Sequence, residues 1–193
     1  MSKTAQTKYD ILDIIKNRWS PVGFTGKPVS ADTLEKLFEA ARWSASCFNE
    51  QPWRFFVGIK NENRIWELIY NALSDGNKTW CIHVPVLVAL CGKKEFSHNN
   101  KPNNWYTYDV GQSAAYISMQ AMAEGLYVHQ MAGFESEQLI KNLNIPENLK
   151  PLTIMAIGYK GSAENLPENL RKRDEEPRKR KLMEELIYGK PFV

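Results

Sequence analysis

Ser44-Ala45-Ser46-Cys47-Phe48-Asn49-Glu50-Gln51-Pro52-Trp53 joins a strongly amphipathic helical segment to an apolar, strand-like run. A plain connection between two such elements has no packing need for two serines, an asparagine and a glutamine. Small hydroxyl and amide groups there suit hydrogen bonding to something flat and polar-edged. Pro52 sets the exit from the loop and Trp53 anchors the next strand. The stretch reads as half of a cofactor pocket.

Upstream, Leu34, Leu37, Phe38 and Ala41 recur at helical spacing, so Ala31 to Trp43 is expected to be a helix. Ser30 is its N-cap, and Asp32 sits in the first turn, where the helix dipole favours negative charge. Asp10 to Ile15 carries helical apolar spacing that stops at Arg18-Trp19-Ser20-Pro21. Downstream, Trp53 to Ile59 reads as a strand and Arg64 to Leu73 as a helix, followed by the turn-forming Ser74-Asp75-Gly76-Asn77. Val84 to Cys91 and Leu152 to Tyr159 read as buried strands, with a short helix near Ser136 to Leu143. Trp105 to Leu126 is a long helix whose small residues, from Gly111 to Ala123, let a neighbouring helix approach closely.

Helices interleaved with only three or four strands point to an α+β fold with a mixed sheet flanked by helices. No Gly-x-Gly-x-x-Gly follows a strand, so a Rossmann nucleotide site has no support. At 193 residues the chain is expected to form a single domain over 1–193. After Gly161 the chain becomes charged and extended to Lys181, then apolar from Leu182 to Tyr188. This pattern suggests an arm, 162–193, that packs on a partner subunit.

The net charge of +3 is too small to argue for a nucleic-acid partner. The longest apolar run, Val84 to Cys91, is far short of the ~20 residues that span a membrane. Three cysteines without close pairing fit a reducing, cytoplasmic setting. The histidines and cysteines show no metal-ligand spacing. Gly111-Gln112-Ser113-Ala114-Ala115 echoes a nucleophile elbow, but it lies inside a helix rather than at a strand-to-helix turn.

Two basic features carry alternatives. Arg18 and Ser20, after the first helix, either clamp a phosphate or belong to a solvated helix end, where arginine is favoured anyway. Arg171-Lys172-Arg173 and Arg178-Lys179-Arg180-Lys181 are split by Asp174-Glu175-Glu176, which argues against a nucleic-acid patch. Mostly solvated side chains, with one or two reaching a phosphate, is the preferred reading.

Five pieces in order resemble the nitroreductase family of FMN-dependent NAD(P)H oxidoreductases. They are Arg18-x-Ser20; the loop from Ala45 to Trp53; Gly76-Asn77 before a buried strand; Gly125-Leu126 leading into His129-Gln130-Met131-Ala132-Gly133-Phe134; and the late Arg180-Lys181-Leu182. The resemblance implies a nitroreductase-like sandwich, an interlocked homodimer, and FMN at the subunit interface. By position, Arg18 and Ser20 hold the phosphate and ribityl region, helped by Arg180 or Lys181. Ser46, Cys47 and Asn49 approach from the other subunit, with Gln51 a weaker candidate. Asn77 meets the pyrimidine edge, and Met131 and Gly133 lie near flavin N5.

The implied activity is hydride transfer from NADH or NADPH to a planar acceptor such as a nitroaromatic or quinone, by ping-pong kinetics. No catalytic side chain is required, because the flavin mediates the reaction. A flavin-binding sensor or store, a reductive dehalogenase and a flavin-modifying enzyme are alternatives on the same fold, the enzymes differing in the lid, Lys93 to Tyr106. The sequence departs from the family at Val22, where a lysine or arginine usually stands near flavin N1 and O2, with Lys27 as a substitute. His129, beside the flavin loop, either donates a proton to substrate or is a packed or capping histidine.

Overall fold

A computed structural model describes residues 3–189. Of the domain and arm expected over 1–193 and 162–193, the outermost residues therefore lie outside the described ones. Seven helices and four strands are described: α1 (Asp13–Asn17), α2 (Ala31–Arg42), β1 (Trp53–Ile59), α3 (Ile65–Ala72), α4 (Asp75–Cys81), β2 (Val86–Lys93), α5 (Tyr106–Ala123), β3 (Tyr127–Met131), α6 (Ser136–Leu143), β4 (Leu149–Gly158) and α7 (Glu168–Glu175).

The fold is α+β, with helices covering both faces of one sheet ordered β1-β2-β4-β3. The expected mixed sheet is corrected: all three pairings among the described strands are antiparallel. β2 and β3 do run parallel, but β4 lies between them, so no parallel pair forms.

The central strands alternate strictly, as a sheet covered on both faces demands. Leu87, Ala89 and Cys91 of β2, with Ile154 and Ala156 of β4, face Trp66, Ile69, Trp80 and Leu139 from α3, α4 and α6. Val86, Val88 and Leu90, with Met155 and Ile157, face Leu34, Leu37 and Ala41 of α2 and Val110, Ala114, Ile117 and Ala121 of α5. Ser113, Ala114, Ser118 and Ala121 of α5 turn inward, which lets this helix lie close on the sheet and on α2, while Gly111, Ala115 and Ala123 are exposed. α3 crosses β1 closely enough that a Cβ at Gly58 would stand 2.5 Å from the Trp66 backbone.

Local signals hold where they are strongest. Ser30 caps α2, its Oγ accepting the Thr33 N–H at 3.2 Å. β1 and α6 occupy the expected residues. Ser74-Asp75-Gly76-Asn77, expected as a turn, instead starts α4, with Ser74 at its N-cap. The same small polar residues serve both roles, because both leave backbone N–H groups for short side chains and tight carbonyls to satisfy. β3 was not visible as a strand: its five residues lie within the stretch expected to be a flavin loop. The stretch expected to be extended instead contains a helix, Glu168–Glu175, and part of it contacts its own chain. There Asp174 Oδ1 accepts the Val22 N–H at 2.9 Å, and Arg178 Nη1 donates to the Lys3 and Lys16 carbonyls at 3.1 and 2.6 Å.

Candidate functional site

The end of α1 and the C-terminal arm bring guanidinium groups together. Arg18 is half-buried at the C-terminus of α1, its Nη1 3.4 Å from Ser20 Oγ. Burial, and then the nearby charges of Arg178 and Arg180, pull its pKa below the usual arginine value. Among the described residues neither Arg18, Arg178 nor Arg180 has a carboxylate partner. Both Arg180 and Lys181 are exposed, and of the two only Arg180 is among the charges that act on Arg18. Arg178 is a member of this group that motif matching passed over, although it opens the same basic run.

A second group forms where β3 ends against the start of α4. Gly133 O accepts from Ser74 N–H at 3.0 Å and from Asn77 Nδ2 at 2.9 Å. A Cβ on Gly133 would stand 2.8 Å from both Asn77 Nδ2 and Ser74 Oγ, so a larger residue would push these two side chains away. The Gly133 N–H has no acceptor among the described residues and is exposed. Met131 is different: its side chain is core, 3.6 Å from Cys81 Sγ, and its carbonyl accepts from Thr153 Oγ1. Any ligand contact at Met131 is thereby left to the chain that follows it.

Trp80 and His129 connect the two groups. Trp80 Nε1–H donates to Asn77 Oδ1 at 3.3 Å, and its ring lies 4.7 Å from the His129 ring and 5.9 Å from Phe24. His129 Nδ1 is 2.7 Å from the Pro21 carbonyl, which can only accept, so Nδ1 carries the proton. Its Nε2 then accepts from Arg173 Nη2 at 3.2 Å. Burial lowers the pKa of His129, and the Pro21 contact only partly offsets this. The imidazole is therefore neutral, with both nitrogens engaged. It is the packed histidine of the two alternatives and not a proton donor to substrate.

Val22 is only 1% exposed, and its side chain packs in the core with Phe24 and Trp80. Lys27 stands with its ammonium 4.3 Å from the centre of the Tyr159 ring.

The loop 44–53 forms a third group. Ser46 Oγ accepts the Gln51 N–H at 3.0 Å, and Gln51 Nε2 donates to the Asn49 carbonyl at 3.2 Å, so part of its polarity shapes the loop itself. Phe48, Asn49 and Gln51 all have positive φ, between 52° and 56°. The Cys47 N–H donates to Oδ2 of Asp109, a buried carboxylate on α5 at 3.1 Å. Asp109 escaped sequence reasoning; the only signal was a carboxylate on the inward face of a small-residue helix. A recess of about 280 Å³ lies between Ser46, Cys47 and the side chains of Trp105, Tyr108 and Gln112.

Arg18, Ser20 and Arg180 thus lie together, and the Trp80–His129 pair joins them to Asn77 and Gly133. Ser46, Cys47, Asn49 and Gln51 stand apart from both. Their loop enters β1 at one edge of the sheet, and Gly133 follows β3 at the other. With strands ~4.8 Å apart, the two edges are ~14 Å from each other. Among the described residues no group of His, Cys, Asp and Glu is arranged to hold a metal, and no helix is long and apolar enough to cross a membrane.

A helix-covered antiparallel sheet with an anion-ready arginine cluster beside an amide-lined edge defines a class. The chain belongs to the nitroreductase family, whose model matches residues 15–79 and 61–159. A Stenotrophomonas maltophilia protein with the provisional name NADH dehydrogenase/NAD(P)H nitroreductase is 25% identical over 164 residues, spanning 75% of this chain and 82% of its own. A crystal structure described as an oxidoreductase containing FMN superposes with a TM-score of 0.91 at 29% identity, covering 100% of this chain and 98% of that one. A Desulfovibrio desulfuricans protein crystallised with FMN shares the fold at 20% identity, with a TM-score of 0.75 over 97% of this chain and all of its own.

Proposed function

We propose that the protein is an FMN-dependent oxidoreductase that uses NADH or NADPH to reduce a planar acceptor such as a nitroaromatic or a quinone. The observation that carries this reading is the half-buried Arg18 near the charges of Arg178 and Arg180, three guanidinium groups with no carboxylate partner among the described residues. A phosphate dianion complements such a set through charge-assisted bonds. The likeness to an FMN-containing oxidoreductase supports FMN as the bearer of that phosphate.

The donor set fits the group. Arg18, Ser20 and Arg180 would hold its phosphate and ribityl region, with Arg178 added. Asn77, its amide oriented by Trp80 and Gly133, would meet the pyrimidine edge, and the free Gly133 N–H would serve the ring near N5. When bound, FMN supplies the two-electron transfer that links the donor to the acceptor. In the net reaction NAD(P)H and one proton reduce a quinone to a hydroquinone and release NAD(P)+. The neutral, doubly engaged His129 positions Trp80 and takes no part in proton transfer.

The reading includes a homodimer that shares each site. The separation of loop 44–53 from the arginine and Asn77 groups supports this, because a second copy would supply Ser46, Cys47, Asn49 and Gln51. Trp105, Tyr108 and Tyr116 along α5, and Leu182, Leu186 and Tyr188 after the arm helix, are exposed and offer the apolar surface. The apolar residues from Leu182 to Tyr188 would reach the second copy, while α7 and Arg178 hold to their own chain.

The test is the absorbance spectrum of the purified protein after incubation with FMN, before and after NADH or NADPH, followed by quinone-dependent oxidation of the donor. Bound flavin that bleaches with donor and recovers with quinone is the expected result. No bound flavin ends the reading, and bound flavin without turnover favours a binding module.

A further inference from the structure

Phe48 is 82% exposed, yet it is not a loose surface residue. Its backbone is in the left-handed region (φ 52°, ψ 25°), in a loop where Asn49 and Gln51 share that conformation. An L-residue adopts this conformation only where surrounding contacts impose it, and such positions cluster at ligand clamps and active sites. The contacts here are specific. The Phe48 ring meets Phe96 edge-on at 5.8 Å and His98 at 6.2 Å, while Phe96 and His98 lie 5.4 Å apart.

The loop bearing Phe96 and His98 is in turn stapled to the loop bearing Phe48. Glu50, its side chain 4% exposed, accepts from the Ser97 N–H at 2.9 Å and the Ser97 hydroxyl at 2.5 Å, with Lys93 Nζ at 3.6 Å. The 93–103 segment closes on itself through the Phe96 N–H to Lys101 carbonyl bond and the Asn103 N–H to Lys94 carbonyl bond. Two loops are thus held so that three rings converge while one phenyl face stays open to solvent.

We propose that Phe48, backed by Phe96 and His98, is the stacking platform for the planar acceptor. The assignment rests on the FMN reading given above, since Phe48 lies between Cys47 and Asn49, two residues that reading places at the cofactor. The chemistry selects the class. The negative face of a phenyl ring attracts an electron-deficient ring, such as a nitroaromatic or quinone, more than an electron-rich one. His98 adds direction. Its Nε2 accepts from Asn99 Nδ2 at 3.0 Å, so the ring proton sits on Nδ1, which has no acceptor among the described residues. A nitro or quinone oxygen over the platform would receive it as a hydrogen bond.

The experiment compares FMN-loaded wild type, Phe48→Ala and Phe48→Trp in steady-state oxidation of the preferred nicotinamide donor. Menadione and 4-nitrobenzoate are the planar acceptors, and ferricyanide is an acceptor without a ring. Bound FMN and sedimentation equilibrium are recorded for each protein. In Phe48→Ala the KM for both planar acceptors should rise about tenfold, equivalent to ~1.4 kcal/mol, with KM for ferricyanide and FMN content unchanged. Phe48→Trp keeps a π face and should stay within about twofold of wild type. Unchanged planar-acceptor KM in Phe48→Ala overturns the proposal, whether or not self-association weakens; weakened self-association would then mark Phe48 as a subunit contact. Equal losses with ferricyanide also overturn it. A wild-type protein that holds no FMN overturns the underlying reading first, before any variant is compared.

Discussion

The Trp80 indole donates its N–H to Oδ1 of Asn77 across 3.3 Å, and the Asn77 amide donates in turn to the Gly133 carbonyl at 2.9 Å. This fixes which end of the amide is oxygen and which nitrogen, a prerequisite for reading the polar edge of a heterocycle. Trp80→Phe keeps a ring between Phe24 and His129 but removes the donor. The loss of unfolding free energy should be about 2 kcal/mol, from one hydrogen bond and a partial cavity. FMN affinity should fall several-fold. In a double-mutant cycle with Asn77→Ala, the two effects on the FMN dissociation constant should be strongly non-additive. Simple additivity would mean that Trp80 does not act through Asn77.

Arg18→Ala should separate binding from stability. FMN affinity should drop by ~1.5–3 kcal/mol, the worth of a hydrogen bond to a charged group. The cofactor-free protein should lose no stability, because Arg18 is disfavoured there by burial and by the neighbouring Arg178 and Arg180 charges. Inorganic phosphate offers a check independent of activity. It should raise the melting temperature of cofactor-free wild type and leave that of the variant unmoved; an equal rise in both would remove Arg18 from the phosphate site.

His129 predicts a pH dependence of stability. Its folded-state pKa lies below the ordinary 6.5, chiefly because of burial. Above 6.5 the ring is neutral folded and unfolded, so its contribution is fully present. As pH falls from 6.5 toward the lowered folded value, the unfolded chain takes up a proton that the folded one refuses, and stability declines. The limiting slope is ~1.4 kcal/mol per pH unit. Urea unfolding at pH 7.5, 6.5 and 5.5 should show this slope in wild type and a shallower one in His129→Phe.

Glu50→Gln should loosen the two-loop staple without unfolding the domain. Burial alone would raise this carboxyl's pKa, but the two Ser97 hydrogen bonds and Lys93 together hold it below the usual range. The staple is therefore complete above the ordinary value of 4.5 and is lost as pH falls through the lowered one. Exchange of backbone amides in 94–102, followed by hydrogen–deuterium exchange, should quicken about tenfold in the variant, matching ~1.5 kcal/mol for a charged hydrogen bond. Unchanged exchange there would show that the staple carries no net stability.

Much of the fold was legible because it is written in short-range patterns. The period of Leu34, Leu37, Phe38 and Ala41 and the Ser30 cap define α2 from within one stretch of chain. The apolar run before Gly58 and Ile59 likewise defines β1. β3 failed that route because five residues against a single neighbouring strand carry too little alternation to stand out. α4 failed because Ser74, Asp75, Gly76 and Asn77 satisfy a turn and a helix N-terminus equally well.

The sequence by itself determined the family, the alternating layers of the core, and the residue types available to a flavin. Each of these depends on identity and spacing along one chain. Tertiary structure alone decided how those residues are used. Val22 turns into the core, the charges of Arg178 and Arg180 act on Arg18 from some 160 residues along the chain, and His129 is held neutral between Pro21 and Arg173. The reason is physical. Charge state, tautomer and side-chain direction depend on burial and on partners far along the chain, and burial exists only once the layers have packed.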